Sequence, residues 1–243
     1  MNQEPLSYEI DGFECEGVLL HDASTFGPAP LLLVTPNWMG VTPRSVETAA
    51  ELAARGFAVL VADMYGKDHR PRGDENPTEF IAPLVTDTKL MRARINGALG
   101  ALTRIAVEKG VGDPTRRAAL GYCVGGTIAL ELARSGADVA AVVSMHGNLT
   151  TRSPAQKGVC KAAVMAVHGG DDPIAPKADR DAFEIEMRAA GAHWSMFCVG
   201  GVYHSFTDKQ ASKPPVSEYS PFASRYGYAL ANAFIHDAFQ GRV

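Results

Sequence analysis

The sequence predicts an α/β fold, a mostly parallel central sheet with helices on both faces. Two patterns carry that prediction. Short apolar runs alternate with amphipathic ones, the signature of successive β–α units. Residues able to do chemistry follow such runs, and open sheets of this kind place their sites at the C-terminal ends of strands. A length of 243 residues suits a single α/β domain over 1–243. No Pro/Gly/Ser linker or internal repeat divides it.

Residues 7–20 read as one or two antiparallel edge strands. Leu31-Leu32-Leu33-Val34-Thr35 reads as a central strand buried on both faces. Thr42-Pro43 opens a helix, with threonine as N-cap and proline in the first helical position. That helix ends at Gly56, and a second strand covers 57–62. Leu90, Met91, Ile95, Ala98, Leu99, Leu102 and Ile105 recur at helical spacing and predict a long helix over about 87–108. Further strands fall near 117–122, 139–144, 162–167 and 194–199. Helices near 177–190 and 222–240 fill the gaps, and Phe222, Tyr226, Leu230 and Phe234 lie four residues apart on the second.

Composition narrows the function. A hydrophobic fraction of 46% supplies a sizeable core, and a net charge of −4 offers no basic footprint for nucleic acid. No run approaches the ~18 apolar residues of a membrane span. Met1-Asn2-Gln3-Glu4-Pro5 has neither the basic nor the apolar part of a secretory signal. Cys15, Cys123, Cys160 and Cys198 are scattered, and the seven histidines show no H-x-x-x-H spacing. The expectation is a reduced, cytoplasmic protein, a monomer or homodimer, with no metal and no cofactor.

Gly121-Tyr122-Cys123-Val124-Gly125-Gly126 is the most informative stretch. An apolar run leads into it and Thr127-Ile128-Ala129-Leu130-Glu131-Leu132-Ala133 leads out, giving strand, sharp turn and helix with one reactive side chain at the apex. The G-x-S-x-G nucleophile elbow of α/β-hydrolases has this layout, here with cysteine for serine. Gly121 and Gly125 let strand and helix approach around the turn. The positive end of the helix favours an anion there. The alternative is a small cysteine packed in a Gly-rich turn.

Two later segments supply partners. His168-Gly169-Gly170-Asp171-Asp172-Pro173 follows one strand, and Gly200-Gly201-Val202-Tyr203-His204-Ser205-Phe206 follows the last. A cysteine nucleophile needs a base, and the base needs a carboxylate to hold its tautomer. His204 and one of the two aspartates fit those roles in the chain order nucleophile, acid, histidine. Taken singly, Asp-Asp-Pro is also ordinary turn chemistry, and a histidine beside aromatics is often a satisfied, partly buried one.

Across nearly its full length the chain resembles the dienelactone hydrolase family. The elbow, His168-Gly169-Gly170-Asp171-Asp172, Gly191-Ala192-His193-Trp194, His204-Ser205-Phe206 and Asp63-Met64-Tyr65 carry the resemblance. It implies an α/β-hydrolase fold and a triad of Cys123, Asp172 and His204. Asp172 is preferred over Asp171 because the family's acid lies four residues before a proline, here Pro176. The implied oxyanion hole is the backbone N–H groups of Val124 and Trp38. Two departures stand out. Asn37 occupies the place of a glutamate that helps form the thiolate, and an amide cannot take a proton. Asp208 lies where the resemblance expects a carboxylate-binding cation, and no arginine lies between Arg72 and Arg92.

The expected activity is hydrolysis of a small ester or lactone through a thioester. Substrate-contact candidates are Asn37, Met39, Tyr65, Met145, His146 and Phe206, besides Trp38, and some of the apolar ones fit a core equally well. His146 either contacts substrate or satisfies a loop carbonyl. Lys67, Arg70 and Arg72 either meet an anionic substrate or form a solvated loop. The competing function is a hydrolase-fold protein of weak or lost activity that binds a small ligand.

Overall fold

A strand without a polar face has no side to turn to water, so the apolar runs take the interior of the sheet. The computed structural model describes residues 1–73 and 75–243 and divides into two compact units, Met1–Ala119 and Leu120–Val243. The first contains β1 (Asn2–Ile10), β2 (Phe13–His21), β3 (Ala29–Thr35), α1 (Pro43–Ala53), β4 (Ala58–Val61), α2 (Pro77–Thr86), α3 (Thr88–Glu108) and most of β5 (Gly112–Tyr122). Its strands lie in the order β1-β2-β4-β3-β5. β1 and β2 are an antiparallel hairpin, β2 is antiparallel to β4, and β3 runs parallel to β4. β3 and β4 are buried along their whole lengths.

Helix ends follow the residues that can satisfy free backbone groups. The Thr42 hydroxyl accepts the Ser45 N–H at 3.2 Å, and the Ser45 hydroxyl accepts the Thr42 N–H at 2.8 Å. Asp87 caps α3 by accepting the N–H groups of Lys89 and Leu90. Met91, Ile95, Ala98, Leu99 and Leu102 are buried as their spacing predicts, while Leu90 and Ile105 are half-buried. Residues 77–86 hold a helix that no apolar spacing announces. Asn76 caps it, Pro77 starts it, and Pro83 inside it lacks an N–H, so local pattern argues against a long helix there.

Behind β4 the chain is held by a buried carboxylate. One oxygen of Asp63 accepts the N–H groups of Tyr65 and Gly66, both at 3.0 Å. The other accepts the Glu16 N–H at 3.0 Å and Arg70 at 2.9 Å. The Tyr8 hydroxyl accepts the Asp63 N–H and donates to its carbonyl. Lys67 pairs with Glu16 at 3.2 Å, while Arg72 lies 4.0 Å from Asp68 with both side chains largely exposed.

The second unit contains the end of β5, then α4 (Val124–Arg134), β6 (Ala141–Met145), β7 (Ala163–Gly169), α5 (Lys177–Ala190), β8 (Trp194–Val199), the short β9 (Ser212–Lys213) and β10 (Ser217–Glu218), and α6 (Pro221–Phe239). β5-β6-β7-β8 is the strand order, with β6, β7 and β8 mutually parallel. β7 reaches two residues further than the apolar run suggests, so His168 and Gly169 are its last residues. No helix among the described residues is long and apolar enough to cross a membrane.

α6 is the helix expected near 222–240, but its four-residue apolar series is not its buried face. Phe222, Tyr226 and Leu230 face outward, and only Phe234 of the four-residue series is buried. The inward face is made instead by Ala223, Ser224, Gly227, Ala231, Phe234 and Ile235. Small residues win because the helix lies close: a Cβ on Gly227 would stand 3.1 Å from Val167 Cγ1.

A buried cation ties α4, α5 and the loop after β6 together. Arg134 donates to Glu131 at 3.0 Å, to both Glu186 oxygens at 2.8 Å, and to the Leu149 carbonyl at 2.7 Å. Removing one partner of a buried pair leaves the other charged and unpaired. Arg134→Ala is therefore expected to cost about 3–5 kcal/mol of unfolding free energy, read from urea titrations of the two proteins.

Candidate active site

Cys123 closes β5 and is the N-cap of α4, with φ 55° and ψ −127°. Its side chain makes no capping bond, which leaves Sγ free to face other groups. Its carbonyl accepts the N–H groups of Gly126 at 2.8 Å and Thr127 at 3.3 Å. Val124 opens the helix, where an N–H has no carbonyl of the same helix to reach. Gly126 permits a close approach at the elbow, since a Cβ there would stand 2.6 Å from Ser144 Oγ and 3.0 Å from Gly147 Cα.

The acid and the histidine come from two neighbouring loops. A Cβ on Gly169 would stand 2.3 Å from the Val202 carbonyl oxygen, so the end of β7 lies directly against the turn that carries His204. Asp172 is buried and Asp171 is exposed. Asp172 Oδ1 accepts the Ile174 N–H at 2.8 Å, and Oδ2 lies 2.8 Å from His204 Nδ1. His204 Nε2 lies 3.1 Å from Cys123 Sγ. A backbone ladder holds the histidine: its N–H donates to the Val216 carbonyl, and its carbonyl accepts the Glu218 N–H.

Burial opposes charge on His204, but the Asp172 carboxylate and the Cys123 sulfur outweigh it and raise its pKa to about 9. Burial likewise pushes Asp172 toward protonation, and its bond to His204 reverses this and holds it below the usual carboxylate range. His168 is fully buried with Nε2 3.7 Å from Asp172 Oδ2, too far for a hydrogen bond. Desolvation lowers its pKa, so it stays neutral.

His146 is buried at the end of β6. Its Nδ1 lies 3.1 Å from the Cys123 N and its Nε2 2.7 Å from Thr207 Oγ1. Its ring meets those of His204 and Phe206 edge to face, with centroids 5.1 and 5.0 Å apart. Phe206 and Met145 are fully buried in the core of this unit, and Phe206 packs against the His146 ring. Thr207 has no signal in the sequence beyond following the His204 loop.

The remaining candidates lie in the first unit, in the loops after β3 and β4. Asn37 Oδ1 accepts the Met39 N–H at 3.0 Å, so the amide oxygen braces its own loop. The Tyr65 hydroxyl donates to the Trp38 carbonyl at 2.5 Å, and a Cβ on Gly40 would stand 2.9 Å from the Tyr65 ring. The Trp38 side chain is exposed, Met39 is half-buried and Tyr65 is buried.

A cysteine, an imidazole and a carboxylate in hydrogen-bonded series, beside a helix N-terminus, suit nucleophilic acyl transfer. The chain is 31% identical to a dienelactone hydrolase-like promiscuous phosphotriesterase from metagenomic libraries, with a TM-score of 0.86 over 97% of this chain and 98% of that one. It is 30% identical to a protein called m3DLH, with a TM-score of 0.89 over 98% of both chains. A putative carboxymethylenebutenolidase of Methylorubrum extorquens is 29% identical over 175 residues, covering 68% of this chain and 59% of that protein. The Dienelactone hydrolase family profile matches residues 15–238. By that match the chain belongs to the dienelactone hydrolase family, a family of hydrolases.

Proposed function

We propose that the protein hydrolyses small esters or lactones through a thioester on Cys123. The observation that carries this reading is the unbroken series from Asp172 Oδ2 through both nitrogens of His204 to Cys123 Sγ, at 2.8 and 3.1 Å. In the reaction His204 holds the Cys123 proton on Nε2 as an imidazolium beside the thiolate, and the sulfur bonds to the substrate carbonyl carbon. The C–O bond breaks and His204 returns the proton to the departing alkoxide. A water then gives a proton to His204 and attacks the thioester, which releases the acid and leaves sulfur to recover the proton. Asp172 stays ionised and holds the imidazole through Nδ1.

The Val124 N–H is one donor to the oxyanion. The resemblance supplies the second, the Trp38 N–H. One such donor is typically worth about 3 kcal/mol of transition-state stabilisation. With Asn37 at the glutamate position, removal of the thiol proton rests on His204 and the helix terminus. With Asp208 at the expected cation, uncharged esters and lactones fit this reading better than carboxylate-bearing ones.

The test is intact mass after brief exposure to activated aryl esters, lactones and an aryl phosphotriester, with turnover followed on the same compounds. Wild type is expected to gain one acyl group, and Cys123→Ala none. Turnover should fall by about 10⁴-fold or more in Cys123→Ala and His204→Ala, and by roughly 10⁴-fold in Asp172→Asn, as in a Ser-His-Asp site. A wild type that neither acylates nor turns over any of them overturns the proposal and leaves ligand binding in its place.

Stability should carry the mark of His204. Its pKa rises on folding from the ordinary 6.5 to about 9, so the folded form holds the proton more tightly. Its contribution is present in full below about pH 6.5 and is lost as pH rises through about 9. The difference in urea midpoint between wild type and His204→Gln is therefore expected to shrink from pH 6 to pH 9.5.

A further inference from the structure

A backbone N–H is a donor in every protonation state, so a ring nitrogen that accepts it must carry a lone pair. The Cys123 N–H points between the Met145 carbonyl at 3.0 Å and His146 Nδ1 at 3.1 Å. The His146 proton must then sit on Nε2, which lies 2.7 Å from Thr207 Oγ1. That hydroxyl accepts it and selects the tautomer, as the partner of one ring nitrogen generally decides the state of the other.

We infer that His146 is a positioning residue for the nucleophile: a neutral imidazole whose Nδ1 holds the Cys123 N–H and so keeps the backbone turn that aims Sγ at His204. The inference rests on the reading of Cys123 as nucleophile and deepens it. Two features make the ring a fixed part rather than a loose neighbour. Its own backbone is in the left-handed region at φ 44°, and its N–H donates to the Val167 carbonyl at 2.8 Å. Phe206 and His204 pack edge-on against it, and Tyr122 lies 6.3 Å away.

The titratable groups around the ring are Cys123 ahead of α4, His204 beyond β8, His168 at the end of β7 and the Tyr122 phenol on β5. Desolvation first, then His204 and His168, hold the ring well below its ordinary pKa. An imidazolium here would turn a donor toward the Cys123 N–H and stand a second cation beside His204. With both nitrogens engaged by protein, the ring is in neither of the roles the sequence suggests: it meets Cys123 itself rather than substrate or a loop carbonyl.

Two substitutions separate positioning from packing. In His146→Asn, Oδ1 stands the same number of bonds from the backbone as Nδ1 and can accept the Cys123 N–H. In His146→Phe the ring shape stays and the acceptor is lost. The acylation rate is expected to fall about tenfold to a hundredfold in the phenylalanine variant. The asparagine variant should lose less, with KM little changed in both. If phenylalanine matches or exceeds asparagine, the ring is only packing and the inference is overturned.

Thr207→Val, which keeps the ring and removes the tautomer anchor, is expected to slow acylation several-fold, and an unchanged rate counts against the inference. Two readouts need no substrate: alkylation of Cys123 by iodoacetamide, located by peptide mapping, should rank the variants in the same order. ¹⁵N spectra of wild type should show His146 protonated on Nε2 alone, and an Nδ1–H tautomer overturns the inference. Should no ester acylate wild type, the proposed hydrolysis falls while these two readouts still decide the role of His146.

Discussion

An L-residue reaches φ 55° and ψ −127° only when the chain on both sides of it is held. At Cys123 the hold comes from β5 before it, from α4 after it, and from the two acceptors of its N–H at the end of β6. Such a conformation costs on the order of 1–3 kcal/mol, met by the surrounding structure. The constraint propagates into the sequence. Gly126 and Gly147 must be small because each lies against the other and against Ser144, and any Cβ would stand within 3 Å of an existing atom. The same geometry denies α4 a side-chain cap.

Three histidines of the second unit show how partners, rather than residue type, set charge. His204 is buried yet favours its proton, because a carboxylate and a sulfur are its hydrogen-bond partners. His146 is buried and neutral, because one nitrogen must accept from an amide and a second cation stands close by. His168 is neutral at 3.7 Å from the carboxylate that His204 already occupies. A single carboxylate, Asp172, thus serves one imidazole at hydrogen-bond distance and not the other. Burial alone would have discharged all three.

The parts of this molecule legible in the sequence are those written in neighbouring residues. The buried strands β3, β4, β6 and β7 show as continuous apolar runs, and α1 and α3 as capped, periodic segments. α2 escaped because Pro83 interrupts a short stretch; α6 was legible as a helix but its buried face was not, because its large apolar side chains face outward while small ones take the close contact. The elbow is legible because strand, turn and helix are consecutive. The partners of His146 are not, because Thr207 lies 61 residues away in the chain.

The amino-acid sequence by itself determined the α/β class, the run of β–α units and the order in which cysteine, acid and histidine follow their strands. Each of those is a local matter of apolar periodicity, glycine and capping chemistry. Only the tertiary structure decided the distances that join Asp172, His204 and Cys123, that Lys67 pairs with Glu16, and that His146 meets the Cys123 N–H. These depend on angstrom-scale distances between segments far apart in the chain, set by the register of neighbouring strands, and a hydrogen bond exists only where that register brings donor and acceptor within about 3 Å.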